Sequence, residues 1–186
     1  IAYTPLLMRM LGQSEYGLYS LVASIISYLT VLDLGFGNAI IIYTARFRAK
    51  NQVEEERRLY GMFLIIYTII GVVAAIGGII LYFNVENLFG QTMTYEEIQI
   101  AKKMMLILTF NLAITFPFSI FGNIITAYEK FIFSKIVKIL QIILVPCIII
   151  PLLFMGCRSI TMVMVTTGVN VFCLLLNARA CIKVLK

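Results

Sequence analysis

Histidine is absent from the 186 residues, and the four cysteines, Cys147, Cys157, Cys173 and Cys181, have no paired spacing. Together these absences exclude structural zinc and imidazole-based catalysis. Three of the cysteines lie in or beside apolar stretches, where a reduced thiol acts as a small hydrophobe; Cys157, next to Arg158, has the setting for a reactive one. Charge is also scarce, at 13% of residues against about 25% in an average soluble domain. Of the nine acidic residues, Glu54, Glu55 and Glu56 form the carboxylate cluster, and it sits among five basic side chains. A lipid-linked glycosyltransferase needs clustered carboxylates to hold a metal and a diphosphate, so neither transferase nor hydrolytic chemistry is indicated, and no cofactor. Low-complexity segments and short soluble repeats are missing too.

What fills the chain is apolar sequence: 61% hydrophobic residues, with a mean hydropathy of +0.99. Residues 59–83 and 104–128 run for 25 positions each without Asp, Glu, Lys or Arg, 139–156 for 18 and 159–178 for 20. A run of this length crosses a hydrocarbon core of roughly 30 Å at about 1.5 Å per residue. Soluble core helices do not stay apolar on every side for so long. Residues 18–43 form a further run that carries one charge, Asp33. The expected fold is therefore all-α, a polytopic transmembrane bundle of about six helices over 1–11 (partial), 18–43, 59–83, 104–128, 136–156 and 159–178. Because the chain opens at Ile1 with only a short apolar stretch before the first loop, it reads as a fragment whose first helix is truncated. Residues 1–186 are expected to form one lobe.

Lysine and arginine fall unevenly on the two sides of this bundle. Eleven of the fifteen lie in 46–58, in 130–138 and after residue 178, while Arg9, Lys102, Lys103 and Arg158 lie on the other side. Basic loops resist translocation, so the loops 46–58 and 129–138 and the C-terminus are expected in the cytoplasm. The net charge of +6 then encodes topology. A nucleic-acid partner would require the basic groups to share a solvated face with aromatics, and here they sit at helix ends.

Between the runs, residues 12–17, with Gly12 and Gly17 at their ends, read as a tight turn. Thr94 and Glu97 have the spacing of a capping box, which starts a helix there. The charged stretch 46–58 reads as a solvated helical face. Pro146 and Pro151 should bend their helix, either lining a cavity or passively. Gly71, Ala74, Ala75 and Gly78 form small-xxx-small pairs suited to close helix packing.

Polar residues inside apolar spans point to function, because each costs free energy in lipid unless it faces protein or water. Asp33, followed by Gly35 and Gly37, is either an ion-coupling or gating carboxylate, with H+ or Na+ as partner, or a structural group that pairs with an Arg or caps a broken helix. Asn111, Thr115, Ser119 and Asn123 repeat every four residues and, with Gly122 and Thr126, share an arc of about 120°. Ser20, Ser24, Ser27, Gly35 and Asn38 share an arc of about 80° on the span 18–43. Facing stripes would enclose a hydrated cavity; the rival is hydrogen bonding between packed helices. Gln141, Thr166, Thr167 and Asn170 are weaker candidates for the same place.

The pattern Arg9-x-Leu11-Gly12-x-x-x-Tyr16-Gly17, then residues 32–39 around Asp33, Gly35 and Gly37, then Arg46, resembles the opening of the polysaccharide and O-antigen flippases. These belong to the multidrug, oligosaccharidyl-lipid and polysaccharide exporter superfamily. Residues 127–131, with Tyr128, Glu129 and Phe131, and the proline-bearing span that follows resemble the same family. The resemblance implies one lobe of a two-lobe exporter, with a C-terminal lobe still to come. It further implies alternating access that moves a polyprenyl-diphosphate-linked oligosaccharide across a bacterial-type cytoplasmic membrane. Arg9, Arg46 and Arg48 are then candidate diphosphate ligands, because a guanidinium offers paired donors; snorkelling and inside-positive orientation account for them equally. Two other functions fit the residues: a cation-coupled drug or small-molecule exporter of the same superfamily, and a non-transporting scaffold of a polysaccharide assembly complex.

Overall fold

The computed structural model describes residues 9, 11–33, 35–90, 93–129 and 131–185. Six helices follow one another, with no strand among the described residues: α1 (Gln13–Leu29), a 3-10 turn (Thr30–Asp33), α2 (Phe36–Ala49), α3 (Val53–Phe89), α4 (Tyr95–Ala127), α5 (Phe131–Phe154) and α6 (Ser159–Leu185). The four from α3 to α6 are long and apolar enough to cross a membrane. The chain is a multi-pass helical membrane protein. Most of the expected truncated helix 1–11 lies outside the described residues.

The expected run 18–43 is divided. Asp33 ends the 3-10 turn, and Gly35 takes a left-handed conformation (φ 79°) before α2 begins. Such a φ favours a residue without Cβ, and helix 18–43 cannot continue through it. The turn foreseen at 12–17 narrows to Gly12 (φ 81°), whose carbonyl accepts from the Tyr16 N–H, and Gly17 lies inside α1. Much of the stretch 46–58 is also helical, since α2 runs to Ala49 and α3 starts at Val53. Between them Asn51 (φ 52°) closes α2, the Asn51 and Gln52 N–H groups reaching back to the Arg48 and Phe47 carbonyls. Gly156 (φ 81°) closes α5 in the same double-bonded manner through Leu153 and Leu152. At the start of α4 the expected capping box is present: Thr94 Oγ1 accepts from the Glu97 N–H, and Glu97 accepts from the Thr94 N–H at 2.9 Å.

α4 lies at the centre and packs against α2, α3 and α6. α3 shows why the bundle holds without a water-driven core. Its large side chains Ile65, Ile69, Val72, Ile76 and Phe83 are exposed, while Phe63, Tyr67, Gly71, Ala74 and Gly78 are buried. Helices in lipid associate through close van der Waals fit, and small residues permit it. The fit is tight enough that a Cβ added at Gly78 would collide with the Thr109 side chain, and one at Gly71 would stand 3.0 Å from the Ala113 carbonyl oxygen. Pro117, inside α4, explains that second contact. Lacking an N–H, it leaves the Ala113 carbonyl without its usual helical donor, and Gly71 is where α3 passes that oxygen.

Candidate functional site

On the side of α4 that faces α2, a groove of about 420 Å³ opens between the two helices. Gly35, Gly37 and Asn38 line it from the start of α2; Leu112, Thr115, Phe116, Ser119 and Asn123 line it from α4. The break after Asp33 is what makes room. It starts α2 afresh with two glycines, and Gly37 lets α4 come so close that a Cβ there would lie 2.9 Å from Asn123 Nδ2. Amides and hydroxyls supply the polar part of the wall, and no lining residue is charged. Such a surface exchanges hydrogen bonds with a neutral polar ligand and offers no ion pair.

The hydroxyls in this wall have fixed orientations. Ser119 Oγ donates to the Phe116 carbonyl at 2.7 Å, and Thr115 Oγ1 donates to the Asn111 carbonyl at 2.7 Å. Donation to a carbonyl one turn back is the usual solution for Ser and Thr in helices, and it leaves their lone pairs facing outward. Between α4 and α6, Asn170 of α6 donates from Nδ2 to Asn111 Oδ1 at 2.7 Å and to Thr115 Oγ1 at 2.8 Å. Gln141 of α5 donates to Asn170 Oδ1 at 3.2 Å. Three helices are thus tied by amides at one end of the groove.

A second polar cluster lies at the end of the bundle that carries the 46–58 stretch. Among the described residues Glu56 is the only buried charged side chain, 6% exposed. Its Oε1 accepts from both Tyr60 and Tyr128 hydroxyls at 2.6 Å, and the Arg48 guanidinium lies 4.2 Å from the centre of the Tyr128 ring. Two neutral donors on one carboxylate compensate for its lost hydration. The cluster ties α2, α3 and the end of α4 together. At the other end Glu15 holds α1 to the start of α6, accepting from the Ser159 N–H at 3.4 Å and pairing with Arg158 at 3.7 Å.

Of the residues that the sequence pointed to, the groove gathers Asn38, Thr115, Ser119 and Asn123. Asn111 stands just beyond it in the amide network. Ser24 and Ser27 are exposed on α1, their hydroxyls donating to the Ser20 and Ser24 carbonyls, and are not among the lining residues. Arg46 and Arg48 lie further along α2, about 12 and 15 Å beyond Asn38 at about 1.5 Å per residue. Arg9 is exposed. The backbone of Asp33 ends the 3-10 turn two residues before Gly35; its side chain lies outside the described residues. No group of three or more metal-ligating side chains occurs among the described residues.

Residues 2–150 match the MatE family. The chain belongs to that family. MatE proteins are membrane exporters of the multidrug, oligosaccharidyl-lipid and polysaccharide superfamily; they are transporters and not enzymes. The match covers α1 to α4 and most of α5, so the whole groove falls within it, whereas Asn170 falls beyond it. No curated protein and no solved structure shows a significant match to the chain.

Sequence reasoning read Glu56 as part of a solvated run, and a signal was present. Glu56 continues the buried positions Leu59, Phe63, Tyr67, Gly71, Ala74 and Gly78 at steps of three and four, so the stripe that packs α3 extends back to it. Pro117 also went unweighed, because a single proline inside an apolar run breaks no pattern.

Proposed function

We propose that this MatE exporter moves a polyprenyl-diphosphate-linked oligosaccharide across the cytoplasmic membrane by alternating access, with the α2–α4 groove as one wall of the path. The observation that carries the reading is the groove's lining. Asn38, Thr115, Ser119 and Asn123 supply amides and hydroxyls without a charge, the chemistry that replaces water around a sugar. Arg46 and Arg48, further along α2 toward the basic end, would meet the diphosphate while it stays at the headgroup level, with Arg9 serving the opposite surface. The 46–58 and 129–138 stretches would face the cytoplasm, and a second lobe would close the other side of the path. Ser24 and Ser27 would enter the path only if α1 turned toward it.

The test is translocation in proteoliposomes. Asn123→Ala and Ser119→Ala in the full-length protein are expected to slow transfer of a polyprenyl-diphosphate-linked oligosaccharide at least tenfold at normal folding. Unchanged transfer would remove the groove from the path.

A second reading rests on Asp33, placed where α1 gives way to α2 and two residues before Gly35 of the groove. In it the protein exports a drug or small molecule against H+ or Na+. Asp33→Asn would then abolish dependence on the ion gradient, whereas a lipid-linked substrate moved without such dependence would set this reading aside.

A further inference from the structure

One hydroxyl of the groove wall, Thr115, has a bonding partner outside the groove. Thr115 Oγ1 lies 2.7 Å from the Asn111 carbonyl oxygen, which can only accept, so the hydroxyl hydrogen belongs there. The group 2.8 Å away on Asn170 must then be the donor Nδ2, because an Oδ1 in that place would face Thr115 with no hydrogen between the two oxygens. Asn111 Oδ1, at 2.7 Å from the same Nδ2, takes the second hydrogen. Gln141 holds the other end of the amide by donating to Asn170 Oδ1. Every hydrogen in this chain points the same way, from α5 through α6 to α4. Thr115 is left with its donor used and one acceptor lone pair for the groove.

We infer that Asn170, oriented by Gln141, is a positioning residue that fixes Thr115 as a hydrogen-bond acceptor toward the groove and so selects ligands that present a donor, such as a free hydroxyl, at that point. Ser119 adds to the same bias, its hydrogen also being directed to a carbonyl of its own helix. The inference rests on the groove being the substrate path. It adds that specificity depends on α6, outside the segment that matches the family.

The experiment uses the full-length protein in proteoliposomes, with a polyprenyl-diphosphate-linked oligosaccharide and its partly O-methylated forms as probes. An O-methyl group keeps the acceptor and removes the donor. Unmodified protein is expected to prefer the free hydroxyl by roughly tenfold at one sugar position, the worth of about one hydrogen bond. Asn170→Leu keeps the side chain's approximate size and removes both donors without offering Thr115 a new acceptor, so the hydroxyl is free to turn; it is expected to reduce that preference at least threefold. Gln141→Leu touches only the orientation of Asn170; it is expected to reduce the preference by a smaller factor and serves if the Asn170→Leu variant does not fold. A uniform slowing of all probes with the preference intact would overturn the inference, because a purely packing role predicts that result; so would Asn170→Leu behaving as the unmodified protein. If Ser119→Ala and Asn123→Ala also leave every probe unaffected, the groove reading itself has failed.

Discussion

The two halves of the α4 stripe began as equals. Asn111, Thr115, Ser119 and Asn123 follow one another at four-residue steps, yet Asn111 is tied to Asn170 outside the groove, Ser119 and Asn123 line the open groove, and Thr115 does both. The cause lies on the opposing helices. Opposite Asn111, α6 presents Asn170, whose amide bonds to it at 2.7 Å; opposite Asn123, α2 presents Gly37, which admits the Asn123 amide closely and has no side chain to bond it. A polar stripe in an apolar helix therefore fixes a direction, and the residue across from it decides whether its amides are tied to a neighbour or left to the groove.

The comparison breaks most severely if α4 is displaced from α3. Gly78→Ala places a Cβ against the Thr109 side chain and should cost about 1–3 kcal/mol by overpacking, seen as a lowered unfolding free energy in bicelles. Thr109→Ala in the same chain removes Oγ1 and Cγ2 but keeps a Cβ 2.8 Å from the added one, so it should restore only part of it. The two halves themselves are compared by truncation. Asn111→Ala removes an acceptor from the Asn170 amide and should destabilise by about 1–2 kcal/mol, whereas Asn123→Ala should stay within about 0.5 kcal/mol while still impairing transport. Equal stability losses at the two sites would mean that both halves are packed. The smallest effect is expected at Ser24 and Ser27, exposed and bonded to their own helix: alanine at either should change stability by under about 0.5 kcal/mol.

Much of the fold could be read from charge-free runs, but the runs measure hydrocarbon and not helix. α3 spans 37 residues around a run of 25, because Val53 to Arg58 at one end and Asn84 to Phe89 at the other are helical beyond it. Thr94 and Glu97 gave the start of α4 because capping is local chemistry, complete within four residues. The break at residues 30–35 was harder: Asp33 and two glycines are there to be seen, yet apolar residues on both sides favour an unbroken span. Within the site, periodicity found the α4 residues and could not rank them, since Asn170 is 59 positions from Asn111. The serines of α1 were linked to Asn38 by a projection that holds only for a straight helix. Glu56 stayed hidden because two neighbouring glutamates that do face solvent gave its segment a solvated average.

Water access along α4 tests the central contrast most directly. In the full-length protein with its native cysteines replaced, single cysteines at Asn111, Ser119 and Asn123 are exposed in intact membranes to a charged thiol reagent. The account predicts labelling at positions 119 and 123 at least tenfold faster than at 111. Slow labelling at all three, or equal rates along the stripe, would contradict it.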